Sequence, residues 1–223
     1  MQISTFACSR NSKHDKLNHM KTKTLSLDAI QRLVVDIQKV ERHHSIPDTD
    51  RHENVAEHSF SVAILCWRIY EAVNPPLDIS KILKYALIHD FTERGLKADV
   101  NTYAQKGERN VKKERELFEL KKISSEFEDF DDFILMLNGY EGLDEEALFV
   151  WSVDKMQAII LGKIDGWRPY MSYGVTYEQF CVKIEGFIIK CSPHVREIFK
   201  EVFETAKETY YDNPDKKKIT FSA

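Results

Sequence analysis

His58, the adjacent pair His89-Asp90, and Asp154 are the residues of this 223-residue chain whose types and spacing could do chemistry. His89 follows His58 by 31 residues, and Asp154 follows Asp90 by 64. Each stands where a helical period asks for an apolar side chain. In HENVAEHSFSVAILCWRIY, His58 lies three residues after Val55 and four before Val62, on a stripe that continues to Leu65. In KILKYALIHDFTE, His89 extends the stripe of Ile82 and Tyr85, and Asp90 that of Leu83 and Leu87. In LFVWSVDKMQAIIL, Asp154 follows Ala147 and Val150 and precedes Ala158. Burying a polar ring without a partner is costly, and burying an unpaired carboxylate costs far more. Each residue alone has a plain reading: a satisfied core histidine, a carboxylate paired with lysine, a chance His-Asp neighbour. Together, two neutral imidazoles and two carboxylates balance one divalent cation.

Helices must position these groups, and the period supplies them. Ile30, Leu33, Val34 and Ile37 define a first helix that Ser26 or Asp28 caps. HHSIPDTDRHEN is a polar break and is expected to be a loop. A long helix is expected from about Asn54 to Val73, stopped by NPP. The next spans LDISKILKYALIHDFTERG, capped by Asp78 or Ser80 and stopped at Gly95. Residues 96–110 read as a loop. The charged helix ERNVKKERELFELKKISSEF reads as a solvated face. DDFILMLNGYEG and DEEALFVWSVDKMQAIILGKI are helices, GWRPYMSYGVTY is an aromatic loop, and two helices follow, at 177–190 and from Pro193 to about Tyr211. No alternating strand of useful length, internal repeat or Gly-rich phosphate loop stands out. The fold class is therefore all-α, a bundle of roughly eight helices. Residues 1–24 read as a flexible extension, with Met20 as an alternative start to Met1. Residues 25–211 read as a single domain and 212–223 as a polar tail.

Composition narrows the partners. With 43% hydrophobic and 30% charged residues the chain can build a core. A formal net charge of −4 gives no general attraction to nucleic acid or to an anionic membrane. No apolar run reaches the roughly 18 residues a membrane span needs, and no secretory pattern opens the chain. Cys8, Cys66, Cys181 and Cys191 form no CxxC pair and read as reduced thiols, so the expected location is cytoplasmic.

ENVAEHSFSVA, ALIHDFTE and SVDKM resemble the HD-domain metal-dependent phosphohydrolases over about residues 28–165. The resemblance implies an all-α HD domain with His58, His89, Asp90 and Asp154 as ligands of a divalent ion. ENVAEHS followed by HDFTE and Asp99 is most similar to the bacterial 5′-deoxynucleotidase branch. By that likeness Glu93 and Asp99 serve catalysis or substrate binding, and the enzyme is a homodimer, for which the apolar stretch GFIIK offers an interface. Arg42-His43 is the nearest equivalent of the branch's Arg-Trp pair, which contacts phosphate and sugar. The Trp is missing, and the spacing to the first metal histidine is slightly longer.

The chemistry follows from the donors. A mixed nitrogen and oxygen set without thiolates suits Mn, Co, Fe, Ni, Mg or Zn with positions open to water. No histidine lies between Asp90 and Asp154, so one ion is expected, against the extra histidines of two-metal HD enzymes. Coordination lowers the pKa of water to about 7 in the best-studied zinc case, which makes hydroxide available. Glu93, placed one helical turn past the HD pair beside the negative helix end, is the proton carrier, with a surface carboxylate as the plain alternative. Arg42 is a phosphate contact, or else a surface partner of Glu41 or Glu57. Arg51, Arg94 and Lys97 are further cations in these loops, with Lys97 taken as substrate-binding. Trp167, Tyr170 and Tyr173 either stack on a base or pack on their own domain. The leading expectation is a hydrolase of nucleoside 5′-monophosphates, deoxynucleotides among them. A nucleoside triphosphate or signalling-nucleotide hydrolase is the nearest alternative. A non-catalytic nucleotide sensor, or a partner protein using the charged helix 108–122, represents other classes.

Overall fold

The structure, a computed structural model, describes residues 27–94 and 106–214. The expected N-terminal extension, Met20, Ser26, Gly95, Lys97, Asp99 and most of the C-terminal tail lie outside the described residues. The elements run α1 (Leu27–Gln38), β1 (Glu41–Ser45), β2 (His52–Asn54), α2 (Val55–Val73), α3 (Ile79–Ile88), a 3-10 turn (Phe91–Glu93), α4 (Lys106–Glu126), α5 (Asp131–Glu141), α6 (Glu145–Ile164), α7 (Arg168–Ser172), α8 (Tyr177–Lys190) and α9 (Arg196–Thr209). The fold is all-α as expected, with eight long helices and the one-turn α7 among the described residues.

One segment departs from the expected loop. β1 and β2 form an antiparallel hairpin, with Glu41 opposite Asn54 and Ser45 opposite His52. The Ile46 amide donates to the Arg51 carbonyl, and Asp48 takes a left-handed conformation at φ 61° to close the turn. The strands are short and polar, so no apolar alternation marked them.

α2 begins in a capping box. Asn54 accepts from the Glu57 amide, and the Glu57 side chain accepts from the Asn54 amide. Such a cap contributes about 1 kcal/mol. Asn74 ends the helix in a left-handed conformation before Pro75 and Pro76. Val55 belongs to a small core with Leu33, Ile37, Ile123, Phe127 and Phe133. Val62 and Cys66 belong to the main core with Ile82, Val150, Phe180 and Phe199. His58 therefore lies at the seam between the two.

α3 starts on the Asp78 cap as expected, but ends at Ile88, well before Gly95. Asp90 leaves helical geometry at φ −103°, ψ 14°, and the 3-10 turn follows. Asp90 thus does not continue a buried stripe: Leu87, three residues earlier, is exposed. Nor is α4 only a solvated face. Its Glu119 and Glu126 accept from Arg94, and its Lys112 donates to Glu93. The aromatic segment after α6 contains α7 and a packed corner. Trp167 is buried and donates to the Thr209 carbonyl, beside Phe180 and Tyr210. Among the described residues, no helix is long and apolar enough to cross a membrane, and Cys66, Cys181 and Cys191 are free thiols.

Candidate metal centre

α2, the end of α3 and the middle of α6 bring the four expected ligands together. His58 and His89 approach through their Nε2 atoms at 3.3 Å. Asp90 Oδ2 lies 3.3 Å from His89 Nε2 and 3.7 Å from His58 Nε2. One donor atom from each of these three residues falls within 4.8 Å of the other two. Asp154 Oδ1 joins them, 3.1 Å from His58 Nε2. His58, His89 and Asp154 are buried; Asp90 is partly accessible.

The donor set fits a cation. His89 Nδ1 donates to the Ala86 carbonyl at 2.9 Å, which leaves the Nε2 lone pair of the neutral ring facing the cluster. That lone pair meets a second imidazole nitrogen and two carboxylates, an arrangement that repels itself unless positive charge sits among them. Without an ion, protons and cationic side chains supply the charge. Burial works against a charged His89, yet Asp90 and Asp154 outweigh it and raise its pKa. Burial also pushes Asp90 and Asp154 up, but His89 and Arg42 hold Asp90 well below the carboxylate range. Lys155 and His58 do the same for Asp154.

Two cations flank the cluster. Arg42, on β1, donates through Nη1 to Asp90 Oδ2 at 2.7 Å, and its Nε lies 3.8 Å from Glu53 Oε2. It therefore pairs with neither Glu41 nor Glu57; Glu57 is held by both Nη atoms of Arg51 at 2.8 Å. Lys155 donates to Asp154 Oδ2 at 2.6 Å. Arg42, Lys155 and Asp154 line a cleft together with His43, Tyr170, Tyr173 and Phe187. His43 is bonded to the Tyr173 hydroxyl there. Trp167 packs in the core instead, and Arg51 and Arg94 serve structural ion pairs.

Glu93 is buried, at 2% exposure. It lies in the 3-10 turn rather than on a helix end, so the helix-dipole argument for it does not apply. Its Oε1 accepts from Lys112 at 2.6 Å, and the plain alternative of a surface carboxylate is excluded. Sequence reasoning missed Glu53, Gln157 and Lys155. Gln157 Oε1 lies 3.1 Å from His58 Nδ1, and Gln157 Nε2 donates to Glu53 Oε1 at 3.0 Å. Their signal was present: Gln157 follows Asp154 by three residues on the inner face of α6, and Glu53 precedes the Asn54 cap.

The HD-domain family pattern matches residues 34–196. No curated protein matches the chain in sequence. Among solved structures, similarity covers a predicted metal-dependent phosphohydrolase from Magnetospirillum magnetotacticum MS-1, with TM-score 0.69 and 20% identity over 84% of this chain and 96% of that one. It extends to the PH0347 protein from Pyrococcus horikoshii OT3, with TM-score 0.56 and 24% identity over 79% of this chain and 97% of that one. A conserved hypothetical protein from Pyrococcus furiosus is similar at TM-score 0.52 and 23% identity, over 80% of this chain and 99% of that one. At these identities the likeness is one of fold.

Proposed function

The chain belongs to the HD-domain family, and from that premise we propose that it is a metal-dependent phosphohydrolase acting on nucleoside 5′-monophosphates, 5′-deoxynucleotides among them. The observation that carries the reading is the convergence of His58, His89, Asp90 and Asp154 beside a cleft lined by the cationic side chains of Arg42 and Lys155. The similar fold of the Magnetospirillum phosphohydrolase agrees with it. In this reading the four residues hold one divalent ion, which when bound supplies the Lewis acidity that activates water and neutralises phosphate charge.

The chain's own residues do the rest. Arg42 offers a planar fork of donors suited to phosphate oxygens, and Lys155 a second positive charge in the same cleft. Arg42 donates to Asp90 and Lys155 to Asp154, so both cationic groups stand beside the carboxylates where an anionic substrate would approach. His43, Tyr173 and Phe187 line the cleft and are the aromatic rings offered to a base, whereas Tyr170 lines it from the packed core. Glu93 takes a proton from the attacking water or gives one to the departing 5′-oxygen, and Lys112 holds its carboxylate in place. Asp99 and Lys97 are further contacts to the sugar and phosphate in this reading.

The test is a screen of nucleoside mono- and triphosphates with Mn, Co, Mg and Zn, with every product identified. Orthophosphate and nucleoside from monophosphates are expected. Pyrophosphate or tripolyphosphate from triphosphates, with monophosphates untouched, would move the assignment to the other hydrolase class. Binding without turnover would make the chain a sensor.

A further inference from the structure

We infer that Gln157, anchored by Glu53, is a positioning residue that fixes the tautomer of His58 and so sets the affinity of the metal centre. The inference rests on the metal-ligand reading given above. The hydrogen bonds leave one consistent assignment. An ionised carboxylate only accepts, so the Gln157 group 3.0 Å from Glu53 Oε1 is the amide NH2. The amide oxygen is then the atom 3.1 Å from His58 Nδ1 and must accept. Nδ1 therefore carries a proton, and with Nδ1 so held the ring can offer an ion only its Nε2 lone pair. His89 reaches the same state through a backbone carbonyl, which needs no orienting.

Burial gives the chain its force. His58, Glu53 and Gln157 are 0%, 2% and 4% exposed, so water does not substitute for a missing partner. Glu53 Oε2 accepts no hydrogen bond and faces His58 Nδ1 at 3.6 Å and Arg42 Nε at 3.8 Å. The Glu53 carboxylate thus lies between the His58 imidazole on α2 and the Arg42 guanidinium on β1. Were the Gln157 amide reversed, its NH2 would confront Nδ1, the ring would shift its proton to Nε2, and the ligand position would be blocked.

The experiment compares Gln157→Met with Gln157→Glu in the full chain. Met keeps the length and packing but offers Nδ1–H only a weak thioether acceptor; Glu keeps a strong one. Two readouts are used: the dissociation constant for Mn(II) alone, by calorimetry, and the 15N shifts of His58 in chelator-stripped protein at alkaline pH. Gln157→Met should weaken Mn(II) by about 10- to 100-fold, the usual loss for a partner behind a metal-bound histidine. Gln157→Glu should fall between wild type and Gln157→Met, because a carboxylate behind the imidazole also accepts from Nδ1–H but meets Glu53 where the amide donated. Wild-type His58 should show the Nδ1–H tautomer, and Gln157→Met a mixture. Equal affinity in all three proteins, or wild-type His58 protonated at Nε2, overturns the inference. A wild-type chain that takes no divalent ion defeats the metal reading instead, and the tautomer then decides the inference alone.

Discussion

Asp154 carries much of the site's demand for a cation, because it is a carboxylate held at 5% exposure in the middle of α6. Lys155 donates to its Oδ2 and His58 Nε2 lies 3.1 Å from its Oδ1. If it is a ligand, Asp154→Ala should retain no stoichiometric ion on gel filtration, since charge balance fails. Ion content measured by mass spectrometry and left at the wild-type level would remove Asp154 from the ligand set. Glu93 makes a different claim. Glu93→Gln keeps the size and the contact region of Lys112 but carries no proton, so kcat should fall by about 10²- to 10⁴-fold with the ion retained. The loss should sit in kcat rather than KM, because the missing step belongs to the transition state. Near-normal turnover would make the pairing of Glu93 with Lys112 structural rather than catalytic.

At the scale of elements, the helices were legible because their apolar faces repeat and their caps are chemically distinct. Asn54, Asp78, Asp144 and Thr176 all cap through side-chain oxygens. Less legible was whatever depended on tertiary partners. The β-hairpin has no apolar alternation, so nothing local separated it from a loop. α3 was read past His89 because Leu83, Leu87 and Asp90 share a helical spacing, whereas the chain turns there to aim Asp90 at both histidines. The four expected ligands were visible as polar interruptions of apolar stripes. Glu53 and Gln157 left only a positional mark, beside the Asn54 cap and three residues past Asp154, and a glutamate in a polar segment or a glutamine in a helix ordinarily faces water. The α6–α7 corner gives an element-scale prediction. A Cβ on Gly162 would fall 2.7 Å from the Tyr170 ring and 3.3 Å from that of Trp167. Those rings are packed among Phe180 and Tyr210 and have little room to move. Gly162→Ala should therefore destabilise the fold by about 1–3 kcal/mol through overpacking, despite alanine's better helix propensity. Urea unfolding would show it as a lowered midpoint with unchanged slope; a midpoint at or above wild type would mean that the corner yields.

For the whole molecule, two cores meet at the site, and three helices from different parts of the chain must dock before the ligands assemble. An ion that binds only this docked state should raise the thermal midpoint with concentration. The surface also exposes Val182 at 64% and Ile189 at 77% along α8, within and beside the GFIIK stretch. If these faces associate in a homodimer, light scattering at micromolar concentration should give twice the 26.1 kDa chain mass. A monomer mass would leave the site to act within one chain. The central claim is that one ion, held by His58, His89, Asp90 and Asp154, makes this fold a phosphohydrolase. Its most direct test is orthophosphate release from a deoxynucleoside 5′-monophosphate by chelator-stripped protein titrated with Mn(II) or Co(II). The expected result is no release from the stripped protein and a rise that ends near one ion per chain. Full release without any ion, or none at any ion concentration, would contradict it.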